Sequence, residues 1–217
     1  ALRSGDLDDL GFLWRGSLKL DQREHRTMQF FANFSNLNIK FNSNWPEAKE
    51  LSGLVFLDDR EVSILADKGI IEGVGLDFVS AEVFPVANEG YQLELATHSD
   101  TDAGDFLSLV NQTPLSDLSR DTFRYWSLEG EASLTLGLQM DFSEGFKSLI
   151  VDTDAVLGSV DAYIRPGNIE IGDINGNITY DSEIGFASSE IIGALWGNPL
   201  TFNLNSWIPN YEEISLL

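Results

Sequence analysis

The stretch from Asp100 to Met140 constrains the fold most, because a helix-like segment there interrupts a chain that otherwise alternates like β-strands. Asp102 is placed to cap a helix, and Phe106, Leu109 and Val110 follow it at helical spacing. This pattern predicts one short helix directly after Asp102.

A second helix is predicted immediately after the first. Thr113 is a plausible cap, and Pro114 suits the first helical position because its missing N–H needs no partner there. Apolar and aromatic residues then recur at near-helical spacing: Leu115, Leu118, Thr122 and Trp126.

From Leu128 onward the period of the sequence changes to two, which is typical of a strand with one apolar face. Six residues share one parity, and polar residues take the other. The six are Leu128, Ala132, Leu134, Leu136, Leu138 and Met140.

Similar alternation before and after the helical segment predicts many short strands. The apolar parity switches near Ser35 and Asn36, which indicates a β-bulge. Close turn signals predict an antiparallel meander. Its expected parts include strands Val62 to Ala66 and Ile70 to Phe78, separated by a turn at Asp67 to Gly69.

The fold class that follows is α+β and mostly β: a twisted, mainly antiparallel sheet with a small helical pair on one face or end. We expect a single domain over 1–217, with the helical pair (101–127) between two strand-rich halves (9–98 and 128–205). Such a sheet should leave at least one outer strand unpaired, and edge-strand self-association is possible.

Composition excludes several classes of function. A net charge of −22 opposes binding to nucleic acid and to anionic membrane surfaces. The chain lacks cysteine and has no run of 18 apolar residues. It starts at Ala1 without a signal-like segment, so we interpret it as an excised segment of a longer protein.

Candidate catalytic and metal-binding residues are sparse. His98, Ser99 and Asp100 are triad residue types, but adjacent positions in a strand-to-helix loop point in different directions. Two sets of oxygen-bearing side chains, around Asp102 and around Asn175, lack the full spacing of a calcium loop. We therefore predict a non-catalytic protein with no metal and no cofactor.

The order of several short motifs resembles a periplasmic segment of the YhdP-type AsmA-like proteins. The resemblance covers about Leu10 to Leu204. The motifs are a Trp45-Pro46 turn, a Leu51–Gly53 hairpin, Val110 to Leu115 with its Asn-Gln-Thr-Pro centre, the aromatics Phe123 and Trp126, the strand Gly130 to Leu136, and Ile192 to Leu200.

This resemblance implies a long, curved sheet that forms an elongated open groove with an apolar interior. It also implies a periplasmic location in a Gram-negative bacterium, with an inner-membrane anchor outside this segment. The implied role is to shield phospholipid acyl chains between the inner and outer membranes. The residues of one apolar parity are the groove candidates: Phe12, Trp14, Phe30, Phe34, Leu134, Leu136 and Leu138.

Two other functions remain open from the sequence. An adhesion or carbohydrate-binding β-sandwich would use exposed Trp45, Trp196 and Trp207 to stack on sugars. A hydrolase is the third possibility, although no catalytic constellation supports it. The groove candidates themselves could equally form an ordinary closed core.

Overall fold

In the computed structural model, one antiparallel sheet is built mainly from strands that pair with their neighbours in sequence. The described residues are 2–17, 26–40, 43, 45–86, 90–113, 115–118, 123–165 and 167–205. The strands are β1 (Leu2–Gly16), β2 (Arg26–Ile39), β3 (Ala48–Asp58), β4 (Glu61–Ile71), β5 (Val74–Leu76), β6 (Phe78–Pro85), β7 (Tyr91–Asp102), β8 (Trp126–Asp141), β9 (Ile150–Ile164), β10 (Ile169–Asp181), β11 (Gly185–Ser188), β12 (Ile191–Leu195) and β13 (Asn198–Phe202).

The sheet is open. Its order is β1-β2-β3-β4-β6-β7-β8-β9-β10-β12-β13, with β5 pairing on β4 and β11 on β10. Among the described strands β1 and β13 form the two edges, which confirms the mostly β, open-sheet architecture.

The register between paired strands aligns their apolar residues, so that the period-two pattern forms one continuous apolar face. Residues directly opposite each other on paired strands point to the same side of a sheet. One row of such partners crosses seven strands without a charged residue: Ala32, Val55, Ile64, Ala81, Leu95, Leu138 and Val151. The next row is Phe12, Phe30, Leu57, Val62, Val83, Leu93 and Met140. We call this side the apolar face.

The opposite face carries polar residues on its central strands and exposed apolar residues on β2 to β4, namely Phe31, Leu54, Phe56 and Leu65. One row there runs through Ser63, Glu82, Glu94 and Gln139. Asp152 and Asp154 of β9 point to the same side and are exposed. The separation follows from the pleat, because it turns alternate side chains toward opposite sides and keeps the carboxylates in water.

A β-bulge lies at the position where the parity of β2 changes. The pairing of β2 with β3 shifts register between Phe34 and Leu37, and Asn36 has a positive φ of 50°. The bulge predicted near Ser35 and Asn36 is therefore confirmed.

Helix α1 (Ala103–Asn111) lies on the apolar face. Asp102 caps it by accepting a 2.7 Å hydrogen bond from the Gly104 N–H, as predicted. The other carboxylate oxygen of Asp102 accepts a 3.0 Å hydrogen bond from the Gly130 N–H of β8. This bond ties the start of the helix to the sheet. A 3-10 helix (Gly145–Ser148) follows β8.

The second helical segment does not reach Trp126, although the sequence predicted that it would. Among the described residues helix α2 covers Leu115–Leu118, and Trp126 begins β8, where it pairs with Ile164 of β9. Pairing with a 15-residue neighbouring strand outweighed the near-helical spacing of the apolar residues.

The turn expected at Asp67 to Gly69 is also corrected. β4 continues to Ile71, and the chain reverses at Glu72 and Gly73, whose φ values are 49° and 89°. Two consecutive positive φ angles are what a tight hairpin turn requires. The predicted strand Ile70 to Phe78 is therefore divided between the end of β4, β5 and the start of β6.

Candidate functional site

All seven predicted groove residues lie on the apolar face, but their surroundings differ. Phe12 is 64% exposed on the edge strand β1, whereas Phe34 and Leu134 are 5% and 4% exposed. Trp14 and Phe30 are partly buried. The face therefore has a covered part and an uncovered part.

The helices and one connection cover the C-terminal part of the face. Leu115 of α2 is buried in a cluster with Trp45 and Val151, and Leu136 and Leu138 pack against that cluster. These two predicted groove residues consequently lie beneath protein rather than on an open surface.

Helix α1 contacts strands on both sides of itself. Ala103 is buried with Ala132 and Val160 of β8 and β9, while Leu109 is buried with Ile71 and Val74 at the end of β4 and in β5. Helix α1 therefore packs across the apolar face, from β8 and β9 at its start to β4 and β5 near its end.

Among the described residues, the part of the face without a helix over it extends from β1 to β7, away from α1. Phe12 is exposed there, the other side chains are partly buried, and none belongs to the clusters beneath the helices. Across these six strands it spans about 24 Å, at roughly 4.8 Å per strand. We call it the open trough, and its members are Phe12, Trp14, Met28, Phe30, Val55, Leu57, Val62, Ile64, Val79, Ala81, Val83, Leu93 and Leu95.

None of the open-trough members on β3, β4, β6 and β7 is among the groove candidates predicted from the sequence. The alternation in Val62 to Ala66 and Tyr91 to Thr97 carried that signal. The alternation did not indicate which of these residues would remain uncovered, because the helices that cover the face lie elsewhere in the chain.

His98, Ser99 and Asp100 lie within β7 rather than in a loop. His98 Nε2 is 3.7 Å from an Asp100 carboxylate oxygen on the opposite face. Ser99 is buried on the apolar face, where its hydroxyl donates to the Gly75 carbonyl. The three side chains therefore do not form a relay, which agrees with the prediction from the sequence.

Of the two described tryptophans among those proposed for sugar stacking, Trp45 is buried and Trp196 is exposed. Trp45 is 7% exposed inside the cluster with Leu115, and Trp196 is 64% exposed in the turn between β12 and β13. Trp207 lies outside the described residues. The single open sheet also differs from the sandwich that this alternative assumed.

Within the described ranges, no three His, Asp or Glu side chains are grouped as metal ligands. Within the described residues, no helix has the length and apolarity needed to cross a bilayer.

Comparison with known proteins identifies one family. A family model described as YhdP protein matches residues 1–216. No curated protein and no solved structure matches the chain. Because the family match extends over essentially the whole sequence, the chain belongs to the YhdP family.

Proposed function

We propose that this chain is a non-catalytic segment of a bridge-like lipid-transport protein, and that its open trough shields phospholipid acyl chains. The observation that carries the proposal is the pair of uncharged rows that cross consecutive strands of one face. Their residues on β1 to β7 are not covered by the helices. Membership of the YhdP family supports the same role.

The energetic argument concerns acyl chains in water. Moving a sixteen-carbon chain into water costs about 12 kcal/mol, at roughly 0.8 kcal/mol per methylene group. An apolar surface that is continuous along the route offsets this cost at every step. A surface interrupted by charges would act as a barrier.

The proposal places the chain in the periplasm of a Gram-negative bacterium. There it would serve in a protein that is anchored to the inner membrane through another segment and reaches toward the outer membrane. The acidic opposite face would then be the solvent side of the trough, since Glu82, Asp152 and Asp154 are exposed there.

Site-specific photo-crosslinking tests the proposal, and two adjacent residues provide a matched pair. Ile64 faces the open trough, whereas Leu65 pairs with Leu54 on the opposite face. A photoreactive residue at position 64 should crosslink to phospholipid, and the same residue at position 65 should not. Native mass spectrometry of the purified chain should show bound phospholipid.

Equal labelling at both positions, or no labelling at either, would contradict an acyl-chain path on this face. A chain that is free of lipid but retained on a glycan array would favour the carbohydrate-binding alternative.

A further inference from the structure

An exposed apolar patch lies on the face opposite the open trough. Phe31 and Phe56 are directly opposite each other on β2 and β3, and Leu54 is directly opposite Leu65 on β3 and β4. Each of these side chains is between 37% and 48% exposed. Because Leu54 and Phe56 are two residues apart on β3, the two pairs adjoin each other. We call these four residues the outer patch.

The Phe31 ring extends the outer patch onto β1. Its partner there is Gly11, and a Cβ at Gly11 would overlap the ring, at 2.6 Å from both Cδ1 and Cζ of Phe31. The ring therefore lies across the backbone of β1 at Gly11. Leu13, two residues along β1 on the same side, is also exposed. The apolar surface thus crosses four strands, about 14 Å at roughly 4.8 Å per strand.

Strands β2, β3 and β4 consequently carry apolar side chains on both of their faces. On the trough side the same strands bear Phe30, Val55 and Ile64. An antiparallel sheet with one face in water usually keeps that face polar. At roughly 200 Å² for a fully exposed large apolar side chain, the outer patch presents about 300 Å². A contiguous patch of this size is typical of an interaction site, whereas single exposed apolar residues are not.

Carboxylates border the outer patch toward the β3–β4 turn and toward β6. Asp58 is two residues along β3 from Phe56, and it is opposite Glu61 of β4. Glu82 of β6 is opposite Ser63, the β4 partner of Phe56. Within the described part of the chain, no ion pair joins these three carboxylates to a base. The border on this side is therefore negative and open to a cationic partner.

Two bases lie on the same face but farther from this border. Lys68 is opposite Ser52, beyond Leu65 on the side away from the turn. Arg15 is opposite Thr27 on the edge strand β1, beyond Leu13. Neither base separates the outer patch from its three carboxylates.

Charge and size select one kind of occupant. A second copy would bring another net charge of −22 against this border, and an anionic membrane surface would be repelled in the same way. A helix that presents apolar side chains flanked by lysine or arginine complements both the outer patch and its border. The helix diameter of about 10–12 Å also fits the width of the apolar surface.

We propose that the outer patch is a docking surface for a basic amphipathic helix of a partner protein. The apolar side of that helix packs on Phe31, Leu54, Phe56 and Leu65, and its basic side chains pair with the carboxylates of the border. This inference does not rest on lipid binding, because the outer patch and the open trough lie on opposite faces of the sheet.

Fluorescence anisotropy with two labelled model peptides tests the inference. Each peptide forms an amphipathic helix of about five turns, roughly 18 residues, with leucine on one side. The other side carries lysine in one peptide and glutamate in the second. The parent chain should bind the lysine peptide and not the glutamate peptide. The double variant Leu54→Gln/Leu65→Gln should weaken lysine-peptide binding about tenfold, which corresponds to about 1.4 kcal/mol.

Val156→Gln/Ile192→Gln is the matched control for the loss of apolar surface. Both residues are exposed on the same face as the outer patch, but they lie on β9 and β12. This double variant should bind the lysine peptide like the parent chain. The melting temperature of each variant is measured alongside, and the single Gln variants replace a double variant that does not fold.

A second pair of variants tests the charged border. Asp58→Asn/Glu61→Gln should weaken lysine-peptide binding about fivefold, which corresponds to about 1 kcal/mol. Asp152→Asn/Asp154→Asn removes the same charge from exposed positions of β9 on the same face and should leave the binding unchanged.

The remaining outcomes would overturn the inference. Equal binding of the two peptides, or equal losses in the patch variants and their controls, would contradict a docking surface at this place. Losses confined to the carboxylate variants would reduce the binding to charge attraction alone. Self-association in sedimentation velocity, or binding to phosphatidylcholine vesicles, that Leu54→Gln/Leu65→Gln abolishes would assign the patch to a second copy or to a membrane instead.

The test is also separate from the proposed function. A chain that binds the lysine peptide with the expected dependence on these residues, but carries no phospholipid, would keep the docking surface and contradict the lipid path. A chain that binds phospholipid in the open trough but no lysine peptide would do the reverse.

Discussion

Trp45 and Val151 are buried in one apolar cluster, although Trp45 lies in the connection before β3 and Val151 lies in β9. Leu115 of α2 belongs to the same cluster and joins them. The two halves of the sheet are therefore connected by side-chain packing across the apolar face, as well as by the strand ladders.

We expect Leu115→Ala to destabilise the protein by about 2–5 kcal/mol, because it leaves a cavity where the two halves meet. The free energy of unfolding from urea titration measures this. Leu54→Ala, on the opposite face where Leu54 is 40% exposed, is the control and should cost much less. Similar losses in the two variants would contradict a packed connection at Leu115.

An aspartate introduced into the apolar face should have different effects on stability in the covered part and in the open trough. Leu136→Asp places a charge beneath the helices, so it should cost several kcal/mol and lower the melting temperature sharply. Ile64→Asp places it in the open trough, where water can hydrate it. That variant should melt nearly normally but lose crosslinking to lipid. The reverse order of melting temperatures would show that the trough is a closed core.

Gly53 is required by the close approach of β3 to β4. A Cβ at this position would lie 2.0 Å from the Leu65 carbonyl oxygen and 2.6 Å from the Ala66 Cα, both backbone atoms. Gly53→Ala should therefore destabilise by about 1–3 kcal/mol in thermal unfolding. Gly75→Ala is the control and should be tolerated, because beyond its own chain neighbours no described atom lies within 4 Å of its Cβ position. A neutral Gly53→Ala would mean that β3 can move aside.

The Asp141 carboxylate at the end of β8 is stabilised in its charged form. The Ser143 hydroxyl and backbone N–H both donate to the same Asp141 oxygen, at 2.6 and 2.7 Å, and they hold the pKa of Asp141 below its ordinary value of 3.8. Because the folded-state pKa is the lower one, these bonds stabilise the fold above the ordinary pKa. Their contribution is lost as the pH falls through the folded-state pKa.

Ser143→Ala removes the hydroxyl donor and leaves the backbone donor. The pKa of Asp141, followed by NMR titration of its carboxyl carbon, should therefore rise toward 3.8. Ser148→Ala is a useful comparison, since the Ser148 hydroxyl bonds the backbone of Asp141 and does not contact its carboxylate. An unchanged Asp141 pKa in Ser143→Ala would contradict the assignment.

The edge strand β1 should mediate concentration-dependent self-association, because no described strand lies beside its outer hydrogen-bonding groups. Leu10→Lys, at a site 60% exposed on β1, should weaken this association in sedimentation velocity experiments. Ile192→Lys adds the same charge to β12, which has strands on both sides, and should have no such effect. Association unaffected by Leu10→Lys would argue against pairing through β1.

The sequence by itself determined the features that depend on neighbouring residues. Alternation placed all seven groove candidates on one face, since the pleat turns every second side chain to the same side. The parity change at Asn36 located a bulge, and Asp102 located the start of α1. These are local effects of backbone geometry and capping.

Only the tertiary structure decided which part of that face is covered. Leu136 and Phe12 have the same kind of alternating context, yet Leu136 packs against the cluster of Trp45, Leu115 and Val151 while Phe12 is exposed. Trp126 likewise begins a strand because a long partner strand was available to it. Long-range packing and strand pairing set these outcomes, and their free energies exceed the local preferences that a sequence pattern reveals.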